Sequence, residues 1–131
     1  MGARQRAWGR TALLFARPWS APSAWLAEQY RLALTPGFLE STLSALRAQV
    51  APLGQREVLV DKLPGIRIPT LVVWGARDRV FPASQARAAL SRLPDGSLSF
   101  IPDCGHLPYV EHPVRFAVVP GRFLDERGSG G

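Results

Sequence analysis

The chain has 131 residues, 47% of them hydrophobic, a formal net charge of +6 and a single cysteine. That length holds one domain with a moderate core. The longest apolar runs, 11–16 and 70–74, fall far short of the roughly 18–20 residues that cross a bilayer, and a lone Cys104 excludes an intramolecular disulfide framework. The charge does not mark a nucleic-acid binder either. Arg supplies 15 of the 16 basic residues, scattered along the chain with Lys62 the only lysine, and there is no basic helix, aromatic ribonucleoprotein-type strand motif or zinc spacing.

Arg4, Arg6, Arg10 and Arg17 precede the first acidic residue, Glu28, which makes residues 1–17 an Arg-rich segment. Transit peptides share that bias. Here 11–16 is too short for a secretory apolar region and no small-residue cleavage site follows it. Met1-Gly2 invites myristoylation, but Arg6 stands where Ser or Thr is wanted. Neither a membrane nor a nucleic acid is therefore an expected partner, and the cytoplasm is the default location.

Residues 18–63 read as helices separated by Pro and Gly, with no convincing strand. Ser23 is placed to cap a helix carrying Trp25, Leu26, Tyr30 and Leu34. Thr35-Pro36 offers a stronger start, Thr at the cap and Pro at the first helical position. After it, Leu39, Leu43, Leu46 and Val50 step by four, three and four, one stripe of a helix that ends at Ala51-Pro52-Leu53-Gly54. A shorter helical piece over 56–62 stops at Pro64-Gly65. This half is either a packing unit or a cap over a site.

Residues 64–126 alternate strand and helix. The β-branched run 70–74 reads as a parallel strand buried on both faces. Phe81-Pro82 opens a helix to about Leu93, with Ala86, Ala89, Leu90 and Leu93 inward, and Pro94-Asp95-Gly96 turns the chain into a strand over 97–101. Strand, helix and strand this close make a right-handed crossover, so the two strands run parallel with both carboxyl ends on one edge. A last helix, 111–126, carries Val114, Phe116, Val119, Phe123 and Leu124. Pro120-Gly121 is expected to kink or split it. Residues 127–131 read as a disordered tail.

Asp78 lies four residues past the first of these strands and His106 five past the second. Loops of that length can join the two side chains above the sheet edge. A carboxylate on one imidazole nitrogen fixes the tautomer, and the other nitrogen can then serve as a base. Arg77 and Arg79 flank the acid and read as solvated surface charges. His112, beside Pro113, reads as a surface residue, and Cys104 as a small buried filler.

The run Pro69-Thr-Leu-Val-Val-Trp-Gly-Ala-Arg-Asp78-Arg-Val-Phe-Pro82, with Pro102-Asp-Cys-Gly-His106 and Glu111-His-Pro113, resembles the C-terminal part of the α/β-hydrolase fold family over residues 64–126. The resemblance implies Asp78 as triad acid, His106 as triad base, residues 18–63 as a helical cap, and no metal or organic cofactor. It departs from the family in one decisive respect. No Gly-x-Ser-x-Gly elbow and no oxyanion-hole loop precede the cap; Ser84 and Ser91 fall in a helix, Ser97 and Ser99 in a strand, and Ser129 in the tail.

The expectation is a truncated hydrolase chain, inactive alone, whose full-length form cleaves an apolar ester, lactone, amide or related small molecule through a Ser-His-Asp triad. One alternative is a non-catalytic module that pairs with another chain, or with itself, through an exposed sheet edge. A Cys104–His106 hydrolase is disfavoured, because both residues share one short loop and no elbow presents the thiol.

Overall fold

The computed structural model describes residues 2–48, 50–51, 54–55 and 59–128. The expected helix start at Arg56, the turn at Pro52-Leu53 and tail residues 129–131 lie outside them. Among the described residues no helix is long and apolar enough to cross a membrane.

The N-terminal half is helical. Helix α1 (Ala3–Leu14) packs along α2 (Ser23–Leu34), and α3 (Phe38–Ala48) follows. Two expected caps are used differently. Pro22 occupies the N-cap of α2, so Ser23 is its first helical residue. Thr35 closes α2 instead of opening α3, its hydroxyl donating back to the Arg31 carbonyl at 3.1 Å. Gly37, at φ 77°, then makes the turn, a backbone shape that glycine adopts without steric cost.

The leucine stripe of α3 is real but unburied: Leu39, Leu43 and Leu46 remain 47%, 39% and 60% exposed. Val50 is not on it. Val50–Ala51 (β1) pairs antiparallel with Gly54–Gln55 (β2), a short ladder where the sequence suggested no strand.

A 3-10 segment, Leu59–Gly65, leads to β3 (Thr70–Gly75), α4 (Ala83–Leu90) and β4 (Gly96–Ile101). The strands are parallel and in register from Thr70↔Gly96 to Gly75↔Ile101, as the crossover argument requires. Helices α5 (Pro108–Glu111) and α6 (Pro113–Gly128) follow, and α4 and α6 both pack on the two strands. Most strand residues are only half-buried, in place of the burial on both faces expected for a parallel sheet.

The split expected at Pro120-Gly121 does not occur. Helix α6 runs through it to Gly128, beyond the residue at which the tail was placed. Pro120 strips a donor from the Phe116 carbonyl, but α6 has no fully buried residue, and solvent can take that bond. The break lies instead at His112, φ −138°, because a residue before proline is pushed out of the helical region. Arg127 then forks onto Asp95 at 2.5 and 2.6 Å, tying the end of α6 to the turn before β4.

The core joins both halves: Phe15, Ala16, Ile101 and Cys104 are at most 4% exposed. Phe15 tilts against Trp25, ring centroids 5.2 Å apart. Thr11, fully buried, donates to the Ala7 carbonyl at 3.0 Å and accepts Trp25 Nε1–H at 3.1 Å. Thr11→Val keeps the shape but strands the indole N–H, and is expected to lower stability by about 1–3 kcal/mol. A shift in the urea midpoint at unchanged slope checks it.

Candidate active site

Two loops at the carboxyl edge of the strands carry the site. After β3 the chain turns at Gly75, where Asp78 N–H donates to the Gly75 carbonyl at 3.2 Å. After β4 it turns through Asp103, a non-glycine residue at φ 53°. The loops are stitched together by Ala76 N–H to Ile101 O at 3.0 Å and Arg77 N–H to Cys104 O at 2.8 Å. The approach is close enough to require glycine: a Cβ on Gly75 would lie 1.8 Å from the Gly105 carbonyl oxygen.

Asp78 and His106 meet as the sequence suggested. His106 Nδ1–H donates to Asp78 Oδ2 at 2.9 Å. Asp78 Oδ1 accepts the backbone N–H groups of Val80 at 2.8 Å and Phe81 at 2.9 Å, so the carboxylate cannot swing away from the imidazole without losing two further bonds. The Asp78 side chain is 5% exposed and that of His106 26%. Nε2 of His106 has no hydrogen-bond partner among the described residues. Both side chains line a cavity of about 290 Å³ whose other walls are Val73, Trp74, Gly75, Phe81 and Pro108. Phe81 meets the imidazole edge-on, centroids 5.2 Å apart. With the hydrogen held on Nδ1, Nε2 presents a lone pair, and an acid-backed base of this kind can take a proton from a hydroxyl.

None of the lining residues carries a hydroxyl or thiol. Ser84 sits on α4 and Ser97 and Ser99 on β4, while Ser91 caps α4 with its hydroxyl donating to Ala88 O at 2.8 Å. Cys104 is fully buried, its thiol 3.7 Å from the Gly105 carbonyl and 3.8 Å from Glu111 Oε1. Burial, reinforced by the Glu111 and Asp78 carboxylates, pushes its pKa from the usual 9.0 up to about 12. A thiol held neutral in this way is no nucleophile at neutral pH.

The same shift fixes a pH dependence. Above about pH 9 the unfolded chain gives up the thiol proton while the native chain keeps it, so stability falls as pH rises from about 9 toward 12. Urea midpoints of the wild type should therefore fall relative to those of Cys104→Ala across that window. Parallel curves would contradict it.

Arg77 and Arg79 are exposed, as expected of surface charges, but each also has a partner. Arg77 and Arg17 both pair with Asp103, at 2.9 and 3.1 Å. Arg79 Nη1–H donates to the Ala12 carbonyl at 3.2 Å. His112 is half-buried, its Nε2–H donating to the Asp103 carbonyl at 3.1 Å.

Residues 14–16 and Glu111 also belong to the site, which sequence reasoning did not see. His106 N–H donates to Leu14 O at 2.7 Å. Glu111 accepts Gly105 N–H on Oε1 at 2.7 Å and Ala16 N–H on Oε2 at 2.8 Å. The available signal was the carboxylate five residues after His106 in Glu111-His112-Pro113.

A family model described as "Alpha/beta hydrolase family" matches residues 1–119, so the likeness reaches back through the helical half and the Arg-rich segment. The chain is 30% identical over 136 residues to the 2-hydroxymuconate semialdehyde hydrolase of Pseudomonas putida, covering 93% of this chain and 47% of that protein. It is 39% identical over 57 residues to the pimeloyl-[acyl-carrier protein] methyl ester esterase of Aromatoleum aromaticum (strain DSM 19018 / LMG 30748 / EbN1), covering 44% and 23%. A solved serine hydrolase involved in carbazole degradation (CarC enzyme) superposes with a TM-score of 0.75 at 25% identity, over 93% of this chain and 47% of that one. The chain thus spans less than half the length of these relatives.

Proposed function

Since the chain belongs to the alpha/beta hydrolase family, we propose that Asp78 and His106 are the acid and base of a hydrolytic triad whose nucleophile lies on polypeptide outside these 131 residues. The observation that carries this reading is the 2.9 Å bond from His106 Nδ1–H to Asp78 Oδ2 at a cavity wall, with Nε2 unpartnered among the described residues. His106 takes the proton of an attacking hydroxyl through Nε2 and returns it to the leaving group. Asp78 holds the tautomer and stabilises the imidazolium between those steps.

The chemistry calls for no metal or organic cofactor. The apolar walls formed by Val73, Trp74, Phe81 and Pro108 suit a small, largely apolar ester, and the esterase among the similar proteins supports that choice. Alone, the chain lacks both the covalent step and the oxyanion stabilisation that the rest of such a fold supplies.

A second reading, a non-catalytic module that pairs through a strand edge, is favoured by one observation. The β3–β4 sheet has only two strands among the described residues, so each strand keeps an outer edge without a strand partner. One experiment separates the two. Hydrolysis of a short-chain aryl ester is measured for the chain alone and after co-expression with the part of the CarC enzyme that this chain does not cover. Turnover that appears only on complementation and vanishes in His106→Ala supports the triad reading. Binding without any His106-dependent turnover favours the module, and His106-dependent turnover by the isolated chain would overturn the outside nucleophile.

A further inference from the structure

We propose that Glu111 is the positioning residue that holds His106 on Asp78. The loop bearing His106 has no helix or strand of its own between β4 and α5, and a carboxylate supplies two of the bonds that fix it. Glu111 spans two chain segments: Oε1 takes Gly105 N–H, the residue directly before His106, and Oε2 takes Ala16 N–H, in the stretch leaving α1. The neighbouring bond from His106 N–H to Leu14 O, at 2.7 Å, completes a clamp on two consecutive amides of the loop.

The fit is tight on every side. A Cβ on Gly105 would lie 2.5 Å from Leu14 O, 2.6 Å from Ala16 N and 2.8 Å from Glu111 Oε1. Gly105 is therefore pressed between the clamp and Gly75, and the imidazole that follows it has little freedom to leave the Asp78 carboxylate.

The carboxylate is also chemically selective for this task. Among the described residues no cation pairs with Glu111; its partners are the two amides and the Cys104 thiol. A half-buried charge without a counter-ion is costly unless backbone N–H groups satisfy it, and hydrogen bonds to an ionised acceptor are the stronger kind. A glutamine cannot replace it. The amide has one oxygen and one NH2, so at least one of the two converging N–H groups would face another donor. Loosening that bond frees the loop at the residue next to His106, and the imidazole loses the fixed alignment that sets its tautomer.

This inference rests on the reading of the Asp78–His106 pair. Its test, however, reads the imidazole and not turnover, so its failure and a failure of the hydrolase reading give different results. The intact chain is labelled with 15N, and the His106 Nδ1 and Nε2 shifts are recorded at a pH where the ring is neutral. The wild type is expected to show one tautomer with hydrogen on Nδ1. Glu111→Gln is expected to move both shifts toward a tautomer mixture and to speed solvent exchange of the Nδ1 hydrogen by about tenfold or more. Glu111→Asp keeps the charge but is one methylene shorter. It is expected to give an intermediate shift, and it decides the matter if Glu111→Gln does not fold. Asp95→Asn, which breaks the ion pair with Arg127, is expected to lower stability and leave the imidazole shifts in place. Wild-type shifts in both Glu111 variants, or equal movement in Asp95→Asn, would overturn the proposal and leave Glu111 a structural brace.

Discussion

Gly75→Ala is expected to abolish the native fold, or to leave a chain in which Asp78 and His106 no longer meet. The added Cβ would lie 1.8 Å from Gly105 O, 2.6 Å from Cys104 O and 2.8 Å from Gly105 C. All three are backbone atoms, so no side chain can rotate out of the way. Relief requires the end of β3 to separate from the His106 loop, which breaks the Ala76–Ile101 and Arg77–Cys104 bonds. Overpacking of this severity costs about 3 kcal/mol or more. Small domains hold only about 5–15 kcal/mol in total, and a two-stranded parallel sheet with half-buried strands leaves this one little margin. Gly121→Ala is the matched control: nothing lies within 4 Å of its added Cβ, and it sits inside α6, so helix propensity makes it neutral or stabilising by up to about 1 kcal/mol. Urea melts of both variants decide the matter, and a Gly75→Ala midpoint at the wild-type value would refute the packing argument.

In the complemented assembly, Asp78→Asn is expected to lower kcat by about 10⁴-fold with KM little changed, a magnitude taken from the analogous carboxylate of serine-protease triads. The reason is local. Oδ1 of residue 78 accepts two backbone N–H groups, from Val80 and Phe81, so an asparagine oxygen must stay there. Its NH2 then faces His106 Nδ1. The imidazole answers by placing its hydrogen on Nε2, the nitrogen that should accept a proton, and the base is lost without any change of shape. His106→Ala, which removes the base itself, is expected to cost more, about 10⁶-fold. Steady-state kinetics on an aryl ester check both, and an Asp78→Asn enzyme within tenfold of wild type would contradict the assigned role.

The site was legible where chemistry follows a short local pattern. An apolar, β-branched run ending at Gly75 and a second ending before Gly105 each deliver one ionisable residue, and parallel register brings the two together. Thr35 was misread because a Thr between two helices can serve either end, and the choice depends on whether Arg31 O or a later N–H is nearer. Pro120 does not divide α6 because a proline can bend a helix without ending it, whereas His112 is the break through the ordinary effect of Pro113. Glu111 was invisible as a clamp. Its partner Ala16 lies 95 residues away, and no periodicity carries information over that distance. The α3 stripe shows the opposite case: the pattern of Leu39, Leu43 and Leu46 is plain in the sequence, yet all three side chains stay exposed.

The separation between Ala16 and Glu111 has a kinetic meaning. Asp78 and His106 are 28 residues apart and joined by one crossover unit, so the pair can assemble early from neighbouring segments. The bond from Ala16 to Glu111 closes a loop spanning 95 residues, and the entropy of so large a loop must be met before the contact returns anything. Closing the longer loop costs about 1 kcal/mol more, so it is the clamp, more than the dyad, whose sequence separation weighs on the folding rate.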